Sequence, residues 1–183
     1  MALATPTVCD FNLPAPMFAL PATDGNRYTL DQIKGDKGLL VMFICNHCPY
    51  VLAILDRILR DAHELMDHGI GVAAICANDA RNYPADSFEN MGVLAQQSGF
   101  KYPYLHDENQ TVARAYSAVC TPDFFGFNAS LGLRYRGRLD ASRAQAGSPD
   151  LYRDLFHAMG QVASTGEGPR EQTPSMGCSI KWK

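Results

Sequence analysis

No stretch of this chain approaches the roughly 20 consecutive apolar residues that cross a bilayer. Met1 to Asp10 has neither a basic opening nor the long apolar run of a secretory signal. Those absences set aside a membrane span and an exported protein, so the expected compartment is cytoplasmic. An excess of one charge is also lacking: 16 Lys and Arg against 19 Asp and Glu leave a net charge of -3. Neither nucleic acid nor an anionic membrane is therefore expected as a partner. Repeats, low-complexity tracts and an obvious linker are missing, which points to one domain. Tryptophan occurs once, at Trp182. Cysteine is the exception, with six in 183 residues. A chain this long buries a core without disulfide staples. In a reducing compartment six cysteines thus argue for reactive or metal-binding thiols.

Two of them lie in Cys45-Asn46-His47-Cys48-Pro49-Tyr50, between the apolar run Gly38 to Ile44 and an amphipathic segment starting at Pro49. A buried strand would deliver both thiols to the first turn of a helix, where unpaired N–H groups favour a thiolate. The first, Cys45, is the expected nucleophile, exposed at the helix mouth. Cys48, one turn in and more covered, would resolve a mixed disulfide. His47, between them, can favour the thiolate electrostatically, and Asn46 and Pro49 complete the loop.

Along the chain, Phe18 to Pro21 and Arg27 to Leu30 read as hairpin arms around the turn Asp24-Gly25-Asn26. Asp31 to Lys37 is a short helical turn. Gly38 to Cys45 is a central strand, a helix runs from Pro49 to about Asp67, and Ile70 to Cys76 is a second strand. Strand–helix–strand makes a parallel βαβ unit. Asp86 with Glu89 forms a capping box for a helix to about Ser98. Tyr102 to Leu105 is extended, and Asn109 to Ala118 a short helix. Phe124 to Phe127 and Leu133 to Leu139 would be antiparallel strands. Arg134, Arg136 and Arg138 alternate there with Leu133, Tyr135, Gly137 and Leu139, which predicts a solvated arginine face. The last helix is expected from Ser148 to about Val162. Residues 1–163 form the domain, and 164–183 a tail packed back in part.

Gly38 to Pro49, Cys120 to Asn128 and Leu133 to Asp140 together resemble the thioredoxin fold. Ala15-Pro16-Met17-Phe18 with Asp24-Gly25 resembles the opening of the alkyl hydroperoxide reductase and thiol-specific antioxidant (AhpC/TSA) family. The Cys-Asn-His-Cys-Pro-Tyr motif, Thr121-Pro122-Asp123-Phe124-Phe125, Tyr135-Arg136-Gly137-Arg138 and Gly177-Cys178-Ser179-Ile180-Lys181-Trp182 resemble one branch of it. The resemblance implies an α/β thioredoxin fold, a central mixed β-sheet flanked by helices, with an N-terminal β-hairpin extension. It also implies that Pro122 is cis and packs against Cys45 and Cys48, with Thr121 and Pro122 positioning a substrate backbone.

Two departures bear on activity. The peroxiredoxin pattern Pro-x-x-x-Thr/Ser-x-x-Cys is met neither at Cys45, preceded by Gly38 and Met42, nor at Cys48, preceded by Val41 and Cys45. The reading therefore favours thiol–disulfide exchange over a low-specificity peroxiredoxin-like peroxidase. The acidic residue that serves the second thiol in thioredoxins falls at Leu39, and that of related reductases at Val51, so His47, Asp123 or solvent must take the proton. Substrates would be protein or small-molecule disulfides, with peroxide as the alternative, and a thiol would be the reductant. The exchange itself needs no cofactor and no metal. A different class is copper, zinc or cluster binding by Cys45, Cys48, His47 and Cys120 or Cys178. Cys120, beside Thr121, and Cys178, in the tail, are the auxiliary thiol candidates. Cys76 reads as core and Cys9 as a bystander, while His63, His68, His106 and His157 read as surface or packing residues.

Overall fold

The structure is a computed structural model and describes residues 3–6, 9–11, 13–145, 147–148 and 150–183. A two-residue strand, β1 (Leu3–Ala4), is followed by a hairpin of β2 (Ala19–Pro21) and β3 (Arg27–Thr29). Its turn is closed by the Asp24 carboxylate, which accepts from the Asn26 N–H and the Tyr28 hydroxyl. Thr29 then caps α1 (Leu30–Ile33) in a reciprocal box with Gln32.

The strand β4 (Gly38–Phe43) is buried at every position. Leu40 and Met42, with Ile44 beyond the strand's end, face one apolar cluster, while Leu39, Val41 and Phe43 face another. Such a run has both sides covered, as the unbroken apolar stretch demanded. The chain then makes α2 (Pro49–Leu52), α3 (Leu55–Asp67) and β5 (Ile70–Cys76). The predicted single helix is thus two. Ile54 donates its N–H back to Val51 at 3.1 Å, tightening the chain at the junction, and no proline or glycine marks the break.

At the far ends of β4 and β5 the Ile44 N–H reaches the Ile75 carbonyl at 3.0 Å, so the two strands run the same way. After α4 (Phe88–Ser98), β6 (Tyr104–His106) joins β5 in parallel. A short helix, α5 (Thr111–Ala115), leads to β7 (Cys120–Thr121), β8 (Asp123–Asn128) and β9 (Leu133–Tyr135). Strand β8 lies antiparallel to both β4 and β9. Side chains of α3, α4 and α6 (Asp154–Thr165) fill the cluster on one face, and those of α1, α5 and the hairpin fill the other. The result is the expected thioredoxin-like α/β architecture, a mixed sheet between helical layers with a hairpin in front.

Three expectations are corrected here. β9 stops at Tyr135 rather than Leu139, and the arginine face is covered at two of its three positions: Arg134 is 8% and Arg136 6% exposed, while Arg138 stays half-buried. Residues 166–173 run over it, with Gly166 accepting from Arg134 and Gln172 bridging Arg134 and Arg136. Arg136 also pairs with the buried Asp123 at 3.2 Å. The last helix begins at Asp154 rather than Ser148, and Pro149 lies outside the described residues. Third, α4 is capped by Ser87 and not by Asp86, which is wholly buried.

The tail ends in β10 (Gly177–Ser179), which lies antiparallel between β1 and β7, with Cys178 opposite Thr121. A Cβ at Gly177 would overlap the Thr121 carbonyl oxygen, so only glycine lets the strands approach this closely. No helix among the described residues is long and apolar enough to cross a membrane.

Candidate functional site

Strand β4 delivers Cys45 just past its end, and Cys48 becomes the N-cap of α2 with Pro49 at the first helical position. The Cys48 carbonyl accepts from Val51 at 3.0 Å and Leu52 at 2.9 Å, which fixes the second thiol's backbone. Because α2 is one turn long, helix dipole is a minor source of acidity here, and local hydrogen bonds carry most of it.

The Thr121–Pro122 peptide bond is cis. Thr121 meets both sulfurs: its Oγ1 lies 3.4 Å from Cys45 Sγ, and its carbonyl accepts from the Cys48 thiol at 3.1 Å. The two cysteines share a proton. Donation from Cys45 draws Cys48 down to about 4, helped by Thr121 and Cys178 against the opposing effect of burial. The same bond, then burial and the Asp86 carboxylate, push Cys45 upward. The pair therefore loses its first proton easily and its second with difficulty. A pH titration checks this. Thiolate ultraviolet absorbance is full above the lowered pKa and is lost as pH falls through it. In the reduced protein one thiolate should persist from neutral pH to near 4. In Cys45→Ala, which lacks the largest acidifying contact, that loss should come at higher pH.

Contrary to the expected exposure at the helix mouth, Cys45 is 1% and Cys48 0% exposed. The tail strand explains it. β10 pairs with the strand that carries Thr121, and Cys178 joins the two sulfurs in one buried cluster. A cavity of about 60 Å³ is lined by Tyr50, Ile54, Pro122, Phe124 and Met176 among others, but by neither sulfur.

The loop between the thiols is held from behind by a residue that sequence reading assigned to a helix cap. Asp86 accepts from the Asn46 N–H at 2.8 Å and from Asn78 Nδ2 at 2.8 Å, and its Oδ2 lies 2.7 Å from His47 Nδ1. The His47 ring stacks on Tyr83 with centroids 5.6 Å apart. Tyr104 donates to Asn46 Oδ1 at 3.0 Å. Asp86, Asn78 and Tyr104 are the site residues missed from sequence. The pattern Asp-x-x-Glu at 86–89 imitated a capping box, and nothing local marked the carboxylate as buried.

A side-chain ligand atom from each of Cys45, His47 and Asp86 lies within 4.8 Å of the other two. That group could hold a soft cation, although Asp86 already serves Asn46 and Asn78, and a closed zinc site needs a fourth ligand. Asp123, the other proton-acceptor candidate, is committed to Arg136 and the Val119 N–H, and burial pushes its carboxyl up to about 6. Cys120 turns its thiol to the Pro122 carbonyl at 3.5 Å and to Ser175 at 3.9 Å. Cys76 is buried, its thiol pushed up to about 12 by burial. Cys9 is likewise raised to about 11.

Residues 12–139 match the AhpC/TSA family. Among solved structures, an uncharacterized conserved protein from Geobacillus kaustophilus is 43% identical, with 100% of this chain and 97% of that one covered at a TM-score of 0.94. A hypothetical protein from Sinorhizobium meliloti is 37% identical, with 98% and 97% covered at 0.91. A putative protein disulfide isomerase from Bacteroides thetaiotaomicron shares the fold at 16% identity and a TM-score of 0.67, with 91% and 96% covered. No curated protein matches the chain.

Proposed function

The chain belongs to the AhpC/TSA family, and from that premise we propose that it is a thiol–disulfide oxidoreductase working through Cys45 and Cys48. The observation that carries this reading is the proton-sharing pair set against Thr121, with one sulfur acidified and the other holding a hydrogen. The proton held between the pair first passes from Cys45 to Cys48. Cys45, now the thiolate, attacks one sulfur of a substrate disulfide and expels the other as thiolate, leaving a mixed disulfide. Cys48 loses its proton and attacks Cys45, which releases the second substrate thiolate and closes the Cys45–Cys48 disulfide. Two electrons have then left the protein, and an external thiol returns it to the reduced state. His47, oriented by Asp86, takes the proton from the resolving thiol and fills the gap left by Leu39 and Val51. The expected setting is the cytoplasm.

Reduced protein mixed with an aromatic model disulfide should release two substrate thiols per chain, and Cys48→Ser should stop at the mixed disulfide. Intact, reduced Cys45 and Cys48 that release no thiol would overturn the reading. Peroxide consumption without disulfide cleavage would move the chain to the peroxidase class.

A second reading rests on the converging ligand atoms of Cys45, His47 and Asp86. Copper or zinc held there would be a cargo or structural ion. Elemental analysis of protein purified reduced separates the two: one equivalent of metal, lost in Cys45→Ser, favours binding over exchange.

A further inference from the structure

The exchange chemistry above uses two thiols, yet the structure gathers three. Strand β10 is tied along its whole length. β1 pairs with it on one side and β7 on the other. Just beyond it, Lys181 donates its N–H to Asn78 at 2.9 Å, and its carbonyl accepts from Asp79 at 2.8 Å and Gln110 at 2.8 Å. Lys183 donates to Gln110 at 2.9 Å. Cys178 is thereby held in register with Thr121, the residue whose carbonyl receives the Cys48 thiol. Its side chain lies in one buried cluster with Cys45 and Cys48, and the thiols of Cys48 and Cys178 shift each other's acidity. A buried cysteine that merely fills space packs against carbon. This one faces a sulfur already engaged with another.

We propose that Cys178 is a third redox residue, which exchanges with Cys48 so that a disulfide formed at Cys45–Cys48 passes to Cys48–Cys178. The inference rests on the oxidoreductase reading for the origin of the first disulfide, supplied there by a disulfide substrate. In the step itself the Cys178 sulfur, as thiolate, attacks Cys48. The Cys45–Cys48 bond breaks, Cys45 leaves as thiolate, and the proton given up by Cys178 ends on Cys45. One disulfide and one thiol stand on each side, so no oxidant or reductant is consumed. Burial and the neighbouring Cys48 hold the Cys178 thiol up at about 11 in the reduced protein. Oxidation of Cys48 removes the second of these causes and favours the attack. Cys45 is thereby free again, as a thiol, while the chain is still oxidised, and on losing that proton it can meet a second substrate.

Trypsin distinguishes the two disulfides. Cys45 and Cys48 share the fragment 38–57, whereas Cys178 lies in 171–181, so only the proposed bond joins two fragments. Folded Cys45→Ser protein is treated with one equivalent of diamide, quenched in acid, alkylated, digested and mapped by mass spectrometry. The expected result is loss of two hydrogens and near-complete joining of 38–57 to 171–181, with the joined pair absent from the Cys45→Ser, Cys178→Ser double variant. Wild-type protein oxidised in the same way should show both the internal and the joined forms. Cys45→Ser chains that instead cross-link to one another, or keep Cys178 alkylated while Cys48 is oxidised, overturn the proposal. Because diamide replaces the substrate, this result is independent of whether the model disulfide is cleaved. A protein that joins the fragments yet cleaves no disulfide refutes the oxidoreductase reading alone.

Discussion

Cys45→Ser should lower cleavage of a model disulfide by at least about a thousandfold, to the limit of detection. A serine hydroxyl does not ionise at neutral pH, and no sulfur–oxygen bond takes part in exchange, so the first covalent step has no substitute. The variant should still fold, since serine fits the volume and its hydroxyl can keep the bond to Thr121 that the Cys45 sulfur makes at 3.4 Å. Thiol release measured beside wild type, with circular dichroism as the folding control, decides it. A Cys45→Ser protein that keeps a tenth of the activity while Cys48→Ser keeps none would reverse the two roles. That outcome has a physical route, because Cys48 is the sulfur drawn down toward 4.

Asp86→Ala is the second large effect, and it separates stability from chemistry. The carboxylate is fully buried and engages the Asn46 N–H, Asn78 and His47. Its removal leaves the buried Asn78 amide and the half-buried Asn46 N–H and His47 ring without their acceptor. Leaving a buried polar group without its partner typically costs about 1–3 kcal/mol, which for a domain of this size lowers Tm by on the order of 5 °C. Urea unfolding of reduced Asp86→Ala should show that loss, and an unchanged midpoint would mean the network is not what holds the loop. Asp86→Asn keeps the shape and one acceptor, so it should fold better yet turn over about 10² to 10⁴ times more slowly, the usual span for a lost proton-transfer partner. Asn78 belongs to the same network. It bonds Asp86 with one end of its amide and receives the Lys181 N–H with the other, so the loop between the thiols and the tail are fastened to one side chain.

What could be read beforehand divides along a physical line. The βαβ unit, the hairpin and the Cys45–Cys48 spacing were legible because each is encoded by neighbours in the chain: an unbroken apolar run, a helical stripe, an Asp-Gly turn. What depended on distant segments was not. Arg134 and Arg136 alternate with apolar residues just as a half-solvated strand would, since alternation says that two faces differ and not what covers each. Residues 166–173 cover one of them, and that tail has no periodicity to announce where it docks. The buried state of Cys45 was hidden for the same reason. Asp86 was misread because a capping pattern and a buried acceptor use the same residue types, and only the fold brings its carboxylate to Asn46 and His47. The break between α2 and α3 had no proline or glycine to signal it.

Trp182 lies under the Arg114 guanidinium, 4.4 Å from the ring centroid, with 38% of its surface exposed. It is the sole indole in the chain, a short step past Cys178. The fluorophore is therefore native and sits on the segment that closes the redox centre. Emission intensity and quenching by iodide or acrylamide can follow that segment in real time, with no dye attached and no residue replaced.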